Sequence, residues 1–418
     1  MFDLVVIGTG AGLMVAEAAA NQGLAVAIVE KGKFGGTCLT RGCIPSKMLV
    51  YPADMLREAE RAHKVGLRYG KPEIDWPLIS KRMWDRIDFS KEIEHNMIHM
   101  ENVTVFKGEG YFTGPDSMKV RLNAGGEAEF SGKRFLITAG AHSRITDIPG
   151  LEDAGYLTYE TFFGDKYPEK PWESLIILGT GTIALEFAHI FAAFGTKVTV
   201  IGRNHRLLPN EDKDIADLVR LQMDDFGIRL LTGYDTLEVD KTNKGKRVII
   251  KDKNSGEELS IEGEEILLAI GVIPESESLR LDLAGVETDH MNWIKADAQL
   301  QTSQPHIYAL GDIIGGFMFR HKANYEAEIL INNLFRPELP KRSADYRSIP
   351  WAIYTMPQVG HVGLTEEEVQ AIGIKYHVGK YRYSYIAIGM AMGFEEGDVD
   401  NGMVKLLLDE EMHILGVH

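Results

Sequence analysis

Two cysteines stand five residues apart in the segment Gly35-Gly36-Thr37-Cys38-Leu39-Thr40-Arg41-Gly42-Cys43-Ile44-Pro45-Ser46-Lys47, and the chain contains no others. Glycines at 36 and 42 and a proline at 45 do not read as a packed core run, in which cysteine serves as a small hydrophobe. At a helix start, free backbone N–H groups favour the thiolate and lower the thiol pKa. A pair so placed can close a disulfide and reopen it as a dithiol, which is two-electron redox chemistry. A zinc site needs two more ligands, and no nearby histidine pattern supplies them, so no metal is expected. Arg41 would lie near such a disulfide, placed to favour a thiolate and to attract an anionic substrate.

The surrounding elements supply a frame for that chemistry. Residues 2–7 read as a strand, Gly8-Thr9-Gly10-Ala11-Gly12 as a tight turn, 13–22 as a helix ended by Gly23, and 25–30 as a second strand. This is a βαβ unit of about 30 residues. Gly8 and Gly10 let the backbone bend and approach a pyrophosphate at the helix N-terminus. Glu30, 22 residues after Gly8, is placed to accept hydrogen bonds from a ribose. The third fingerprint glycine falls at Leu13, where close helix–strand packing should be tighter. The pattern returns with a strand at 174–178, the turn Gly179-Thr180-Gly181, a helix at 182–194 stopped by Gly195, and a strand at 197–201. Two dinucleotide folds about 170 residues apart point to a two-nucleotide enzyme.

Residues 54–63 and 76–100 read as helices, with Met83, Ile87 and Met97 in the core. Residues 103–122 and 247–250 read as hairpin strands. From about 346 the texture changes to mixed strands with one short helix, 365–372. The 418 residues suffice for two to three domains. With 45 basic and 61 acidic residues the net charge is −16, which opposes binding to nucleic acid or an anionic membrane surface. No apolar run of about 18 residues predicts a spanning helix. The first ten residues lack a basic stretch and a cleavage site, so no signal peptide is expected. Two cysteines exclude a disulfide-stapled secreted scaffold and point to a cytoplasmic protein.

The run from Gly36 to Lys47 resembles the redox-active signature of the FAD-dependent pyridine nucleotide–disulfide oxidoreductases, and the resemblance covers essentially the whole chain. Residues 302–312, TSQPHIYALGD, resemble the family's second flavin motif. Met318-Phe319-Arg320-His321-Lys322-Ala323 resembles the segment that follows it in the dihydrolipoamide dehydrogenase branch. Ile353-Tyr354-Thr355, Pro357 and Gly402-Met403-Val404-Lys405 resemble parts of the interface domain. The resemblance implies FAD held by Gly8, Gly10, Gly12, Glu30, Lys31, Gly36, Thr37 and Lys47. Further FAD contacts are implied at Gly110, Ala139, Gly140, Gly311, Asp312, Met318, His321 and Ala323. It implies NAD(P)H held by Gly179, Gly181, Ile183, Arg203, Arg206 and Gly271. Cys43 is then the thiol proximal to the flavin and Cys38 the outer thiol that exchanges with substrate. Lys47 approaches the flavin and pairs with Glu186.

The branch and the nucleotide preference pull in different directions. NAD-using relatives carry an acid where this chain has Gly202, and NADP-using relatives carry an arginine at the position of Arg203. Their second arginine aligns with Pro209, with His205 and Arg206 close by. The lost acid and Arg203 favour NADPH, whereas the segment after the flavin motif favours a lipoamide enzyme. The family's C-terminal His and its orienting Glu lie beyond Leu415-Gly416-Val417-His418, so the chain is expected to be truncated there.

The expected fold is α/β: two doubly wound, Rossmann-like dinucleotide-binding domains plus a C-terminal α+β dimerisation domain. The expected boundaries are 1–148 for the first part of the FAD domain with the redox pair, 149–275 for the NAD(P) domain, 276–345 for a return to the FAD/central region, and 346–418 for an incomplete interface domain. The expected enzyme is a homodimer acting on a small dithiol or disulfide such as a lipoyl group. The alternatives are an NADPH-dependent reductase of a low-molecular-weight disulfide or of mercuric ion, and a flavoprotein binding subunit with inert cysteines. A membrane quinone reductase would call for an amphipathic anchoring helix, which the sequence does not offer.

Overall fold

Leu4–Ile7 is four consecutive buried apolar residues, the signature of a strand covered on both faces. It lies in a seven-stranded sheet ordered Ile307–Ala309, Phe135–Ile137, Leu4–Ile7, Val26–Glu30, Val103–Gly114, Ser117–Leu122, Glu127–Ser131. The first five strands pair in parallel and the last three form an antiparallel meander. The helix Gly12–Ala20 covers one face, packing Val15, Ala16 and Ala19 with Ala323, Ala327 and Leu330 of the helix Arg320–Phe335. Phe112, Phe135, Ile137 and Ala309 belong to a second core cluster on the same sheet.

This computed structural model describes residues 1–70 and 72–418. The sheet belongs to a unit formed by residues 1–45, 84–142 and 272–346, and a second unit comprises residues 46–83, 143–271 and 347–418. Residues 46–83 thus pack with the second unit, whereas the expected FAD region runs through 1–148 without interruption. Packing explains the difference. Asp54 Oδ1 lies 2.7 Å from Nε2 of the fully buried His189, and the Trp76 ring stacks on Tyr167 at 5.6 Å and meets Phe194 edge-on at 5.4 Å.

Within the second unit a four-stranded parallel sheet runs Arg229–Thr232, Lys197–Gly202, Ser174–Leu178, Glu265–Leu268. The helix Thr182–Ala193 follows Ser174–Leu178 and is buried along nearly all its length. A three-stranded antiparallel sheet holds Tyr234–Thr242, Gly245–Asp252 and Glu258–Gly263. The last sheet has five strands, ordered Trp351–Ile353, Val359–Gly363, Ile414–Val417, Met403–Asp409, Tyr376–Arg382. A buried ammonium ties this sheet to the helix Lys213–Asp225: Lys405 Nζ donates to Asp212 Oδ1 at 2.8 Å, Asp214 Oδ2 at 2.6 Å and Glu366 Oε2 at 2.6 Å. Among the described residues no helix is long and apolar enough to cross a membrane.

Candidate active site

Gly35 and Gly36 take left-handed backbone angles, φ +103° and +68°, and turn the chain into the five-residue helix Gly36–Thr40, which carries Cys38. A Cβ at Gly36 would lie 2.7 Å from Gly10 Cα, so this loop rests directly on the first glycine turn. Thr40 Oγ1 donates to Gly36 O at 2.9 Å and the Arg41 N–H to Thr37 O at 3.0 Å. Cys43 is the first residue of the helix Cys43–Arg61, where backbone N–H groups lack intrahelical acceptors and favour a thiolate. Cys38 is half-buried and Cys43 exposed. The short helix and the loop through Gly42 connect the two cysteines.

Lys47 follows Cys43 by one turn on the same helix. Its Nζ lies 2.8 Å and 3.1 Å from the two carboxylate oxygens of Glu186 and 4.0 Å from the centre of the Tyr354 ring. Glu186 Oε1 also accepts the Tyr354 N–H at 3.0 Å. The Glu186 side chain is 9% exposed, so its charge needs the cation and the N–H donor it meets. Two helices and the chain leaving Trp351–Ile353 thus converge on one carboxylate. Sequence reasoning missed the second rung of this ladder, Asp54 with His189. Asp54 is seven residues after Lys47, and His189 is three after Glu186, so helical periodicity puts each on the same face as its neighbour.

The first glycine turn is shaped by its surroundings. Gly8 has φ +91° and its absent Cβ would overlap Thr138 O. A Cβ at Gly12 would overlap Thr138 Oγ1 and lie 2.9 Å from Val6 Cγ1. The close helix–strand approach expected at Leu13 is therefore met by Gly12. Glu30 is buried; its Oε2 accepts from Thr9 N at 3.0 Å and Thr9 Oγ1 at 2.6 Å, and its Oε1 from Gly32 N at 2.6 Å. By contrast, a Cβ at Gly10 or Gly140 would meet no heavy atom within 4 Å. Open backbone at a helix N-terminus is what a pyrophosphate requires.

At the far edge of this sheet, Gly311 (φ +81°) and Asp312 lie in the turn after Ile307–Ala309. The turn is held by the buried pair Lys322 and Glu326, 3.0 Å apart. Lys322 Nζ donates to Gly311 O at 3.1 Å, and Glu326 Oε2 accepts Gly311 N at 2.8 Å. Ala323 packs its Cβ against Gly311. Burial pushes the Asp312 carboxyl up, against the pull of Lys322. A desolvated carboxyl of this kind suits a polyol hydroxyl, so this donor and acceptor set fits FAD.

The other residues named for FAD spread more widely. Thr37 and Ala139 are half-buried and Met318 and His321 exposed. Lys31 Nζ is 2.8 Å from Glu275. Gly110 sits in the sheet, where a Cβ would lie 2.9 Å from Val29 Cγ1 and 3.2 Å from Met118 Sδ, which gives it a packing reason of its own.

The second turn repeats the logic. Gly179 has φ +127° and no room for a Cβ against Ala269 O, whereas Gly181 and Gly271 are open. Gly181 caps the helix Thr182–Ala193, Ile183 is half-buried and Ala184 fully buried. The two arginines are not equivalent. Arg206 donates to Glu367, to Pro209 O at 2.9 Å and to Glu211 O at 3.4 Å. Arg203, 79% exposed, pairs with Asp235 at 2.9 Å. An exposed pair is weak, so Arg203 is the arginine that can change partner. A Cβ at Gly202 would overlap Thr180 Cγ2, so packing explains glycine there independently of any nucleotide.

Comparison with known proteins agrees with this geometry. The family model described as pyridine nucleotide-disulphide oxidoreductase matches residues 2–327, and the dimerisation domain of the same family matches residues 349–418. A dihydrolipoyl dehydrogenase of Bacillus subtilis is 32% identical over 427 aligned residues, covering 100% of this chain and 88% of that protein. The mitochondrial dihydrolipoyl dehydrogenase 1 of Arabidopsis thaliana is 30% identical, covering 100% of this chain and 81% of its own length. Among solved structures, the HOCl-induced flavoprotein disulfide reductase RclA of Escherichia coli superposes with a TM-score of 0.84 at 27% identity, covering 100% of this chain and 89% of that one.

Proposed function

This chain belongs to the pyridine nucleotide-disulphide oxidoreductases, FAD-dependent enzymes that use NAD(P)H, and on that premise we propose that it moves electrons between NADPH and a small dithiol or disulfide through Cys38 and Cys43. The observation that carries the reading is the placement of Cys43 at the start of the helix whose next turn presents Lys47 to Glu186. FAD, when bound along Gly8, Gly10, Glu30 and Asp312, supplies the relay between the two-electron nicotinamide and the cysteine pair. In the reducing direction the Cys38 thiolate attacks one sulfur of the substrate disulfide, whose S–S bond breaks and releases one thiolate. The Cys43 thiolate then attacks Cys38 in the mixed disulfide, releasing the second thiolate and closing Cys38–Cys43. Two protons from solvent complete the two product thiols, and NADPH restores the dithiol with two electrons. Run backwards, the same steps oxidise a dithiol such as a dihydrolipoyl group.

The match to the family's dimerisation domain supports a homodimer, and the use of two thiols as a reversible couple supports a reducing, cytoplasmic setting. The domain assignment proposed on the same basis gives FAD to 1–148 and 276–345, NADPH to 149–275 and dimerisation to 346–418. A steady-state screen of lipoamide and glutathione disulfide against NADPH and NADH tests the reading. Turnover of at least one disulfide that depends on both cysteines supports it. Flavin reduction with no disulfide turnover would contradict it.

A further inference from the structure

Arg41 sits in the loop that joins the two cysteines, three residues after Cys38 and two before Cys43. Its backbone is fixed: the Arg41 N–H bonds Thr37 O, and φ is −156° at the end of the short helix. Its side chain is half-buried, and Nε is buried with no hydrogen-bond partner among the described residues. No carboxylate pairs with it among the described residues, although the chain holds 61 acidic residues against 45 basic ones. Arg121, Arg203, Arg206 and Arg247, all on strands or surface loops, do find carboxylates. A half-buried guanidinium carries a desolvation cost that an acceptor must offset, and its planar fork matches a carboxylate.

We propose that Arg41 is a specificity-determining residue that binds a carboxylate carried by the disulfide or dithiol substrate. This deepens the function proposed above and rests on disulfide exchange at Cys38 and Cys43. Three residues of extended chain span at most about 11 Å, so the Arg41 backbone lies within that distance of the Cys38 backbone, which carries the sulfur that attacks the substrate. A substrate whose sulfurs and carboxylate belong to one small molecule would be held at both ends. A neutral analogue with the same sulfurs would leave the guanidinium without a counter-charge.

Lipoate and lipoamide share one dithiolane ring and differ in a carboxylate against an amide, which makes them the probes. The FAD-loaded wild type, Arg41→Met and Arg41→Lys would be assayed for kcat/KM on both, with bound flavin measured to confirm folding. The wild type should favour lipoate by about tenfold or more, the scale of one charged hydrogen bond, and added salt should erode that preference. Arg41→Met should lower the lipoate-to-lipoamide ratio by about tenfold, and Arg41→Lys should keep part of it. A ratio unchanged by Arg41→Met, including equal losses on both substrates, overturns the proposal and leaves disulfide exchange standing. If the wild type turns over neither compound nor any other disulfide, the exchange reading fails and Arg41's role falls with it.

Discussion

Lys47 Nζ and Glu186 Oε2 are 2.8 Å apart, and this contact joins the helix that begins at Cys43 to the helix that begins at the second glycine turn. Glu186→Gln would keep an acceptor for the Tyr354 N–H but remove the counter-charge of Lys47. Loss of a charged hydrogen bond costs roughly 1.5–3 kcal/mol. The rate of flavin reduction by NADPH should therefore fall by about ten- to a hundredfold in stopped-flow, with flavin content unchanged. A wild-type rate would remove Glu186 from the electron path.

Gly10→Ala separates folding from flavin binding. No heavy atom lies within 4 Å of the added carbon and Gly10 is not in a left-handed conformation. The melting temperature of the flavin-free protein should stay within about 2 °C of wild type, since surface changes of this kind fall within about 0.5 kcal/mol. Flavin affinity should drop, because the methyl group would stand where the backbone must approach a pyrophosphate. Gly8→Ala should lower both, since its Cβ overlaps Thr138 O at a positive φ.

The nicotinamide preference should rest on Arg203. Arg203→Ala should cost NADPH about ten- to a hundredfold in affinity and leave NADH little changed, as expected for one charged phosphate contact. Equal use of both cofactors, unaltered by the substitution, would contradict the assignment. Replacing Gly202 by Glu is the poorer test, because the added side chain would first have to displace Thr180.

Both glycine turns and the strands that feed them were legible because parallel strands buried on two faces are continuous apolar runs, and LVVI, VAIVE and SLIIL are such runs. Lys47 and Glu186 were legible only through resemblance, being 139 residues apart. The full helix Cys43–Arg61 was not, since Pro45 and Pro52 mask its first half. Pro45 is tolerated in a first turn, which has no N–H acceptor to lose. The transfer of 46–83 to the second unit depends on Asp54, His189 and Trp76, whose partners no local pattern announces. The charge of Arg206 is legible in the sequence, but its pairing with Glu367, 161 residues away, is not.

Lys405 and its carboxylates should make the stability of the C-terminal sheet depend on pH. For Asp212, burial pushes the carboxyl up but the Lys405 ammonium and two backbone N–H donors outweigh it, so its pKa lies below the usual carboxylate range. The hydrogen bond from Lys405 likewise lowers Glu366. Burial opposes the charge of Lys405, yet its carboxylates push its pKa up. Lowered carboxylates stabilise above their unfolded pKa, and a raised lysine stabilises below its own. The contribution is therefore complete between about pH 5 and about pH 10; it is lost in acid as pH falls through the lowered carboxylate pKa values, and in alkali as pH rises through the raised lysine pKa. Lys405→Met would strand the buried Asp212 charge at a cost of about 3–5 kcal/mol. Its stability towards urea at pH 7 should fall by that amount, and the gap to wild type should narrow as the pH is lowered and the stranded carboxylate is protonated; an unchanged stability at pH 7 would show the cluster to be without effect.

Because Cys38 and Cys43 are the chain's only cysteines, a thiol count after denaturation reads the proposed redox pair alone. The direct measurement is that count on FAD-loaded protein, air-oxidised and then treated anaerobically with excess NADPH. No thiol per chain is expected before NADPH and two after it, with neither Cys38→Ser nor Cys43→Ser gaining any on reduction. Two thiols both before and after NADPH, or none after it, would contradict a Cys38–Cys43 couple that takes its electrons from the nicotinamide.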